Sequence, residues 1–141
     1  MEKEDSTVEK KIKGRKRHII VDTQGFMIGC HVTKASTSDQ EGFIGILDRF
    51  YLPSMQKIWV DQAYIGHKLK NRCAEQWIDL EVVKRKEEGF KILPHRWIVE
   101  RTFGWMSRYR RLSKDYEGLV KTSENWMYLS MIRLMLKRID L

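Results

Sequence analysis

Residues 58 to 66 read Ile58-Trp59-Val60-Asp61-Gln62-Ala63-Tyr64-Ile65-Gly66, an apolar run that stops at an acid and gives way to a small-residue turn. The polar residues that follow have the composition of a helix, so the segment is predicted to be a strand that feeds a helix. In open α/β sheets, ligands bind at the carboxyl ends of strands. Asp61 therefore lies where a metal-binding carboxylate is expected, although a strand-end aspartate can also simply cap the next helix.

A second carboxylate stands within an apolar helix. Its surroundings read Arg96-Trp97-Ile98-Val99-Glu100-Arg101-Thr102-Phe103-Gly104-Trp105, shortly after Pro94, which favours helix initiation. Apolar residues recur there at the spacing of a packed helical face, and Arg96, Glu100 and Ser107 share a polar stripe beside it. Glu100 either has a function or forms a surface ion pair with Arg96, which would contribute little.

The segments before Asp61 predict a hairpin and a helix. Two apolar runs, over residues 18–21 and 26–32, flank Asp22-Thr23-Gln24-Gly25, a sequence that suits a hairpin turn. Asp22 is therefore predicted to shape that turn. Ser38-Asp39-Gln40-Glu41 is a capping box and predicts the start of a helix.

The segments after Asp61 predict two more helices and a strand. A helix is expected over residues 67–77 and a strand over 80–83. The last segment, over residues 124–139, carries apolar residues on two flanks, including three of the seven methionines. A surface that wide predicts a buried helix, in the core or in a protomer interface.

Composition predicts one folded domain that binds a polyanion. The chain has 141 residues, 42% of them hydrophobic, which is enough for a single core. Its formal net charge of +8 favours nucleic acid as a partner, because cationic surfaces release counterions from phosphate backbones. Charge alone does not distinguish an enzyme acting on DNA from an RNA-binding or DNA-binding module. Cys30 and Cys73 form no paired motif, and the four histidines do not match zinc-ligand spacing.

Together, these residues resemble insertion-sequence transposases of the IS5 group, within the wider IS4-like set. The catalytic domain of those proteins carries an aspartate, aspartate, glutamate (DDE) triad. Four blocks in the family's order carry the resemblance. They are residues 13–25, 59–66, 93–105 and 108–117.

The resemblance implies a fold and a set of partners. It implies an α/β, ribonuclease-H-like fold, a mixed sheet flanked by helices that lacks its first strand here. Residues 1–10 would be a polar leader that can remain disordered, and residues 11–141 a partial catalytic domain. No signal peptide or membrane span is expected. The implied location is a prokaryotic cytoplasm, near the nucleoid, with double-stranded DNA of the element ends and target as partner and a homo-oligomer as assembly.

The resemblance also implies a chemistry. Asp61 would be the second acid and Glu100 the third, both of them catalytic and metal-binding, with Mg²⁺ (or Mn²⁺) as cofactor. Paired divalent cations would clamp the attacking and leaving oxygens of a phosphoryl transfer. The implied reactions are cleavage of a DNA strand at the element's end, followed by attack of the freed 3′-hydroxyl on target DNA.

The first acid of the triad has no convincing counterpart. In the family it lies on a strand ahead of the basic block, in a motif resembling Asp-Ser-Gln-Ser-Val-Lys. Asp5 is the only candidate, and the residues before it are too polar to form a buried strand. The alternative to an active domain is therefore a truncated, inactive remnant that binds only DNA or intact transposase.

Basic residues near the two acids are the candidate DNA contacts. Arg96 would hold a phosphate or orient Glu100. Where the family carries a lysine seven residues after the glutamate, this chain has Ser107, so Arg108 or Arg111 could substitute for it. Lys84 and Lys86 follow a predicted strand and could contact phosphates, or could form a solvated loop.

Overall fold

A computed structural model describes residues 14–50, 53–64, 66–83, 94–113 and 117–139. Asp5, Lys84 and Lys86 lie outside these residues. The described part is mixed α/β, as predicted. In chain order its elements are β1 (Arg15–Val21), β2 (Met27–Lys34), α1 (Asp39–Arg49), β3 (Lys57–Asp61), a 3-10 turn (Gln62–Tyr64), α2 (His67–Glu75), β4 (Asp79–Val83), α3 (Pro94–Ser107), a second 3-10 turn (Arg110–Leu112) and α4 (Val120–Arg138).

The hairpin forms as the sequence predicts. Strands β1 and β2 pair antiparallel, with His18 opposite His31 in the middle of the ladder. Asp22 closes the turn because its Oδ1 accepts hydrogen bonds from the backbone N–H groups of Gln24 and Phe26, both at 2.9 Å. Gly25 adopts a φ of 91°, which a residue without a Cβ tolerates best. The predicted turn role of Asp22 is therefore confirmed.

Strands β3 and β4 form a separate, parallel pair. They pair from Lys57 beside Asp79 to Asp61 beside Val83, and α2 makes the crossover that a parallel connection requires. The sequence predicts one mixed sheet, but the described strands form two two-stranded sheets. The prediction is wrong in this respect because β1 and β3 do not form a ladder with each other. An apolar cavity lies between them.

Strand β1 contributes to two hydrophobic cores at once. Neighbouring residues of a strand point to opposite faces, and Ile19 enters one core while Ile20 enters the other. The first core lies between the hairpin and α3 and α4. The second lies among α1, α2 and the pair β3–β4. The hairpin is thus covered on both faces.

Helix α1 packs unusually close to the hairpin. Its start is capped as predicted, because Ser38 Oγ accepts a hydrogen bond from the Glu41 N–H at 3.2 Å. A Cβ on Gly42 would clash with Nε2 of His18, and one on Gly45 would lie 2.7 Å from Cδ2 of His31. Two glycines on one helical face therefore allow the helix backbone to rest against two histidine rings.

Helix α4 is only half buried within this chain, so the predicted burial is confirmed for one flank, and a protomer interface on the other flank stays a prediction. Met127, Met131 and Leu134 are buried against the hairpin. The other apolar flank faces outward, and its side chains are 53 to 57% exposed: Leu129, Ile132 and Leu136. The sequence predicts how wide the apolar surface of this helix is, but not which of its flanks the hairpin covers. Among the described residues, no helix is both long and apolar enough to cross a membrane.

Candidate active site

The two acids singled out by the sequence reach the same cavity. Asp61 is the last residue of β3, and Glu100 lies in the middle of α3. Both line a cavity of about 230 Å³, together with Tyr64 and the apolar side chains of Trp59 and Val99. Although 39 positions separate them in the chain, the crossover through α2 and β4 and the packing of α3 on β1 and β3 bring them to one place.

Helix α3 is held in position by the hairpin turn. Arg101 Nη2 donates a hydrogen bond to the carbonyl of Gln24 at 2.6 Å, and Thr102 Oγ1 donates one to the carbonyl of Gly25 at 2.5 Å. Thr102 is completely buried. Because both anchors immediately follow Glu100 in the chain, they fix the rotation of the helix that carries this acid.

A stack of rings and guanidinium groups reinforces the same helix. Arg101 lies between Trp97 and Trp105, with its Cζ 4.8 Å and 4.6 Å from the two ring centroids. The Cζ of Arg138, on α4, lies 4.2 Å from the centroid of the Trp105 ring. Cation–π contacts of this kind contribute about 0.5–1 kcal/mol each at exposed sites. The contact of Arg138 with Trp105 joins α3 to α4 and thereby supports the placement of Glu100.

Tyr64 forms a neutral wall of the cavity. Its ring meets those of Phe43 and His18 edge to face, with centroids 5.8 Å and 6.5 Å away. Burial, with smaller contributions from the charges of Asp39 and Asp61, raises the pKa of Tyr64 to about 12. The hydroxyl therefore stays protonated at neutral pH and can donate a hydrogen bond but not act as a base. Gln62, also in the turn after β3, is exposed.

The acidic side chains at this cavity could supply some of the ligands that a hard cation needs. Carboxylate oxygens are the ligands that Mg²⁺ and Mn²⁺ prefer, and Asp61 and Glu100 supply them from two different elements. No group of three or more His, Cys, Asp or Glu side chains with metal-site geometry occurs in the described part of the chain. Two carboxylates fit an ion that keeps several waters, which is typical of Mg²⁺.

The arginines that the sequence predicts as DNA contacts differ in position and in partners. Arg96 belongs to the first turn of α3, and Arg108 is exposed just beyond its end. Arg111 forms an ion pair with Glu117, which raises its pKa, and it lies over the Trp126 ring at 5.3 Å. Neither Arg108 nor Arg111 belongs to the described lining of the cavity.

The basic residues of β1 are largely occupied by the protein itself. Arg15 donates to the carbonyls of Glu117 and Gly118, and Arg17 donates to that of Leu112. These bonds tie the segment after α3 to the hairpin. The positive run before the hairpin therefore includes side chains with a structural role, in addition to any that meet DNA.

Sequence reasoning missed Arg101 and Thr102 as positioning residues. The available signal was a threonine at an otherwise apolar helical position, directly after the acid. A buried threonine needs a partner for its hydroxyl. The partner is a turn carbonyl 77 positions away, which periodicity cannot reveal.

Comparison with known proteins identifies the family of the chain. The family described as "Transposase DDE domain" matches residues 2–135, so the chain belongs to that family. Domains of this family use divalent metal ions.

A protein of Burkholderia cepacia, named as a transposase for insertion sequence element IS402, is 25% identical over 114 residues. The match covers 74% of this chain and 54% of the relative, so the chain spans about half the length of the relative it matches. No solved structure matches the chain significantly.

Proposed function

We propose that this chain is the metal-dependent catalytic unit of an IS5-group insertion-sequence transposase, with Asp61 as the second acid of the triad and Glu100 as the third. The fold would be a partial ribonuclease-H-like domain over residues 11–141. In support, the order of elements is a hairpin, a crossover strand that ends at an acid, and a helix that carries a second acid. The observation that carries the proposal is the shared cavity of Asp61 and Glu100.

The chemistry assigns simple roles to the chain's own groups. A divalent ion, Mg²⁺ or Mn²⁺, would polarise the scissile phosphodiester and lower the pKa of an attacking water when bound. Asp61 and Glu100 would hold that ion from a strand end and from a helix. Arg101 and Thr102 would keep Glu100 oriented through the hairpin turn. Tyr64 and Val99 would exclude bulk water from one side of the cavity.

A second candidate function follows from the carboxylate count. A metal-binding group with three acidic, histidine or cysteine ligands is missing from the described residues, and Asp5 lies outside them. Two acids define one ion, but leave a second ion and the in-line alignment of the attacking oxygen poorly defined. The chain by itself would then bind DNA or intact transposase without cutting.

A nicking assay on supercoiled DNA with Mg²⁺ or Mn²⁺ separates these functions. We expect the 141-residue chain to be nearly inactive, and a version extended at its amino end by a strand carrying the family's first acid to nick DNA. In the extended version, Glu100→Gln and Asp61→Asn should each return nicking to background, because the neutral amides retain shape but lose the charge that binds metal. Glu41→Gln, an exposed acid on α1, is the matched control.

Two outcomes would change the assignment. Full activity of the extended Glu100→Gln protein would remove Glu100 from the triad. Robust nicking by the 141-residue chain that disappears in Asp5→Asn would instead make Asp5 the first acid.

We also propose that the surface beyond α3 contacts the DNA backbone, with Arg108 as its main side chain. Arg108 and Arg110 are exposed there, whereas Arg111 is engaged with Glu117 and Trp126. Arg96, Lys84 and Lys86 remain further candidates. Phosphate contacts of this kind bind many sequences and weaken steeply with salt.

Salt titrations of duplex DNA binding test this surface. Replacing Arg108 with Ala should reduce the slope of log affinity against log salt by about one, since one phosphate contact is lost. Arg111→Ala should change the slope less and lower thermal stability instead. If the wild type and the Arg108 variant have equal slopes, Arg108 does not contact the DNA backbone and the contact lies on another surface.

A further inference from the structure

Trp77 holds a backbone conformation that favours glycine. It follows α2 in a turn where its own N–H donates to the Ala74 carbonyl at 3.1 Å. The next N–H, that of Ile78, donates to the Cys73 carbonyl at 2.8 Å. These two bonds are typical of a helix end whose left-handed residue is glycine. Trp77 has a φ of 58°, and among the described residues it is the one non-glycine residue with a positive φ.

No burial within the chain offsets this conformation. The left-handed region is unfavourable for a residue with a Cβ, because the Cβ approaches the following carbonyl oxygen. The Trp77 residue is 92% exposed, whereas the neighbouring Ile78 is buried in the second core. The turn therefore needs Ile78 but makes no use of the indole. Tryptophan is also the residue type most enriched among the side chains that dominate protein–protein binding energies.

The surface around Trp77 is acidic. Gln76 Nε2 donates to the Leu47 carbonyl at 3.4 Å, so the end of α1 lies against this turn. Two cations there each contact two carboxylates: Arg72 contacts Asp48 and Glu75, and Lys57 contacts Asp79 and Glu81. Four carboxylates and two cations give this Trp77 surface a net charge of −2, in a chain of +8. A negative surface repels phosphates, so DNA is not its natural partner.

The exposed flank of α4 has the opposite charge. Leu129, Ile132 and Leu136 are spaced by three and four residues and therefore form one apolar stripe. Arg133 and Lys137 are exposed along one side of this stripe. The single acid within α4, Glu124, is buried, so every exposed charge on the helix is positive. We call the stripe and its basic border the α4 flank.

The Trp77 surface and the α4 flank lie in different parts of the molecule. Helix α4 packs on β2, whereas α2 packs on α1 and β4. The hairpin lies between the two cores to which these helices belong. One chain therefore cannot place its own indole on its own α4 flank. Two α4 flanks facing each other would bring Arg133 and Lys137 of both copies together, which like charges disfavour.

We propose that Trp77 of one copy of this chain docks on the α4 flank of a second copy, with the acidic surface around the indole facing the basic border of the stripe. The contact joins different surfaces of the two copies, so it is head-to-tail. A pair formed in this way still presents one Trp77 surface and one α4 flank to further copies. The proposal is independent of the roles of Asp61 and Glu100.

Sedimentation velocity of the purified chain tests the contact. The average mass of the wild type should rise between about 1 µM and about 200 µM, the range of a moderate interface, and the rise should shrink with added salt. Trp77→Gly should associate at least about tenfold more weakly, since a central tryptophan anchor is lost. Its melting temperature should be unchanged or higher, because glycine suits the left-handed turn. A wild type that stays monomeric throughout, or a Trp77→Gly protein that associates like the wild type, overturns the proposal.

A mixing experiment tests the head-to-tail geometry. Ile132→Glu places a charge on the apolar stripe but keeps Trp77, whereas Trp77→Gly keeps the α4 flank. Each variant should be monomeric alone, and their mixture should form one-to-one complexes, because one variant supplies the indole and the other supplies the flank. Far-ultraviolet circular dichroism verifies that both are folded. A mixture that stays monomeric contradicts the proposal.

Charge and DNA controls separate this contact from other uses of the same residues. Lys137→Glu should weaken association several-fold, while Lys68→Glu makes the same charge change at the opposite end of α2 from Trp77 and should leave association unchanged. Equal effects of the two variants contradict the proposed docking. Trp77→Gly should bind a short DNA duplex as tightly as the wild type at concentrations where both are monomeric. Weaker DNA binding with unchanged self-association would assign Trp77 to a nucleic-acid surface and overturn the proposal.

Discussion

The two sheets of this protein are held by different kinds of contact. The hairpin β1–β2 is tied to the helices that cover it by buried polar groups, such as the Cys30 N–H that donates to the Tyr128 hydroxyl at 3.0 Å. The ion pairs described for the parallel pair β3–β4 lie at its surface, where Lys57 meets Glu81 at 2.7 Å. The antiparallel pair is thus fixed by specific bonds, while the parallel pair depends on its crossover helix and on apolar burial.

Glu124 is the centre of the hairpin's polar contacts. Only 5% exposed, its carboxylate accepts hydrogen bonds from Arg49 Nη1 at 2.9 Å and from the Val32 N–H at 2.8 Å, and it lies 3.2 Å from His31 Nδ1. One side chain therefore connects α4, β2 and α1. A buried carboxylate with this many partners stabilises the arrangement only while all of them are present.

The largest effect is expected from Glu124→Ala. This change leaves the Val32 N–H and the Arg49 guanidinium without their acceptor, which should lower the free energy of unfolding by about 2–3 kcal/mol. Urea denaturation followed by circular dichroism measures the loss. The exposed acid Glu75, paired with Arg72 beside the parallel sheet, is the control, and Glu75→Ala should cause no comparable loss.

Thiol labelling shows whether that loss is confined to the hairpin. Burial raises the pKa of Cys30 to about 12 and that of Cys73 to about 11, so both react only after local opening. Cys30 lies on β2, and Cys73 lies on α2 beside the parallel pair. In Glu124→Ala, labelling of Cys30 should accelerate at least about tenfold more than labelling of Cys73. Equal acceleration of both thiols would mean that the two sheets open together.

Thr102→Val is expected to have the next largest effect. The valine keeps the shape of the buried side chain but leaves the Gly25 carbonyl without its donor, which should cost about 1–2 kcal/mol. In the extended, active protein it should also lower the rate of nicking, because α3 loses an anchor next to Glu100. Ser107→Ala removes an exposed hydroxyl from the same helix and should change neither quantity. If Thr102→Val leaves the rate of nicking unchanged, the hydrogen bond of Thr102 has no role in positioning Glu100.

A smaller effect is expected from His18 at mildly acidic pH. Burial, opposed by the charge of Asp39, lowers the pKa of His18 below its usual 6.5 in the folded protein. The unfolded chain then binds a proton first as the pH falls below 6.5, so stability is full above that value and declines below it until the folded pKa is reached. Urea midpoints at pH 7.5 and pH 5.5 should differ more for the wild type than for His18→Asn. Replacement of the exposed His67 by Asn should leave the wild-type difference intact.

The smallest effect is expected from Lys57→Ala on the parallel pair. The neighbouring carboxylate of Glu81 raises the pKa of Lys57, but both side chains are well exposed. Water and salt screen such a pair, so the melting temperature should barely change and the change should vanish as salt is added. A large loss at low salt that added salt removes would instead show that β3–β4 depends on ionic contacts as the hairpin does.

Sequence patterns were sufficient for most elements of the fold. The turn at Asp22, the cap at Ser38 and the helix that begins at Pro94 were all predictable, because each follows from the local chemistry of a few adjacent residues. The apolar run that ends at Asp61 likewise predicted a strand that stops at an acid. The exposed flank of α4 was not predictable, since periodicity gives the width of an apolar surface and not the position of its partner.

By itself, the sequence determined which segments become strands and helices and which two acids are candidate site residues, because hydrophobic period and turn chemistry are local properties. The tertiary structure decided that Asp61 and Glu100 line one cavity, that Thr102 anchors the helix of Glu100 to the hairpin, and that β1 and β3 face each other across a cleft. These relations join residues far apart in the chain. They depend on how whole helices and strands pack, and a short stretch of sequence does not determine that packing.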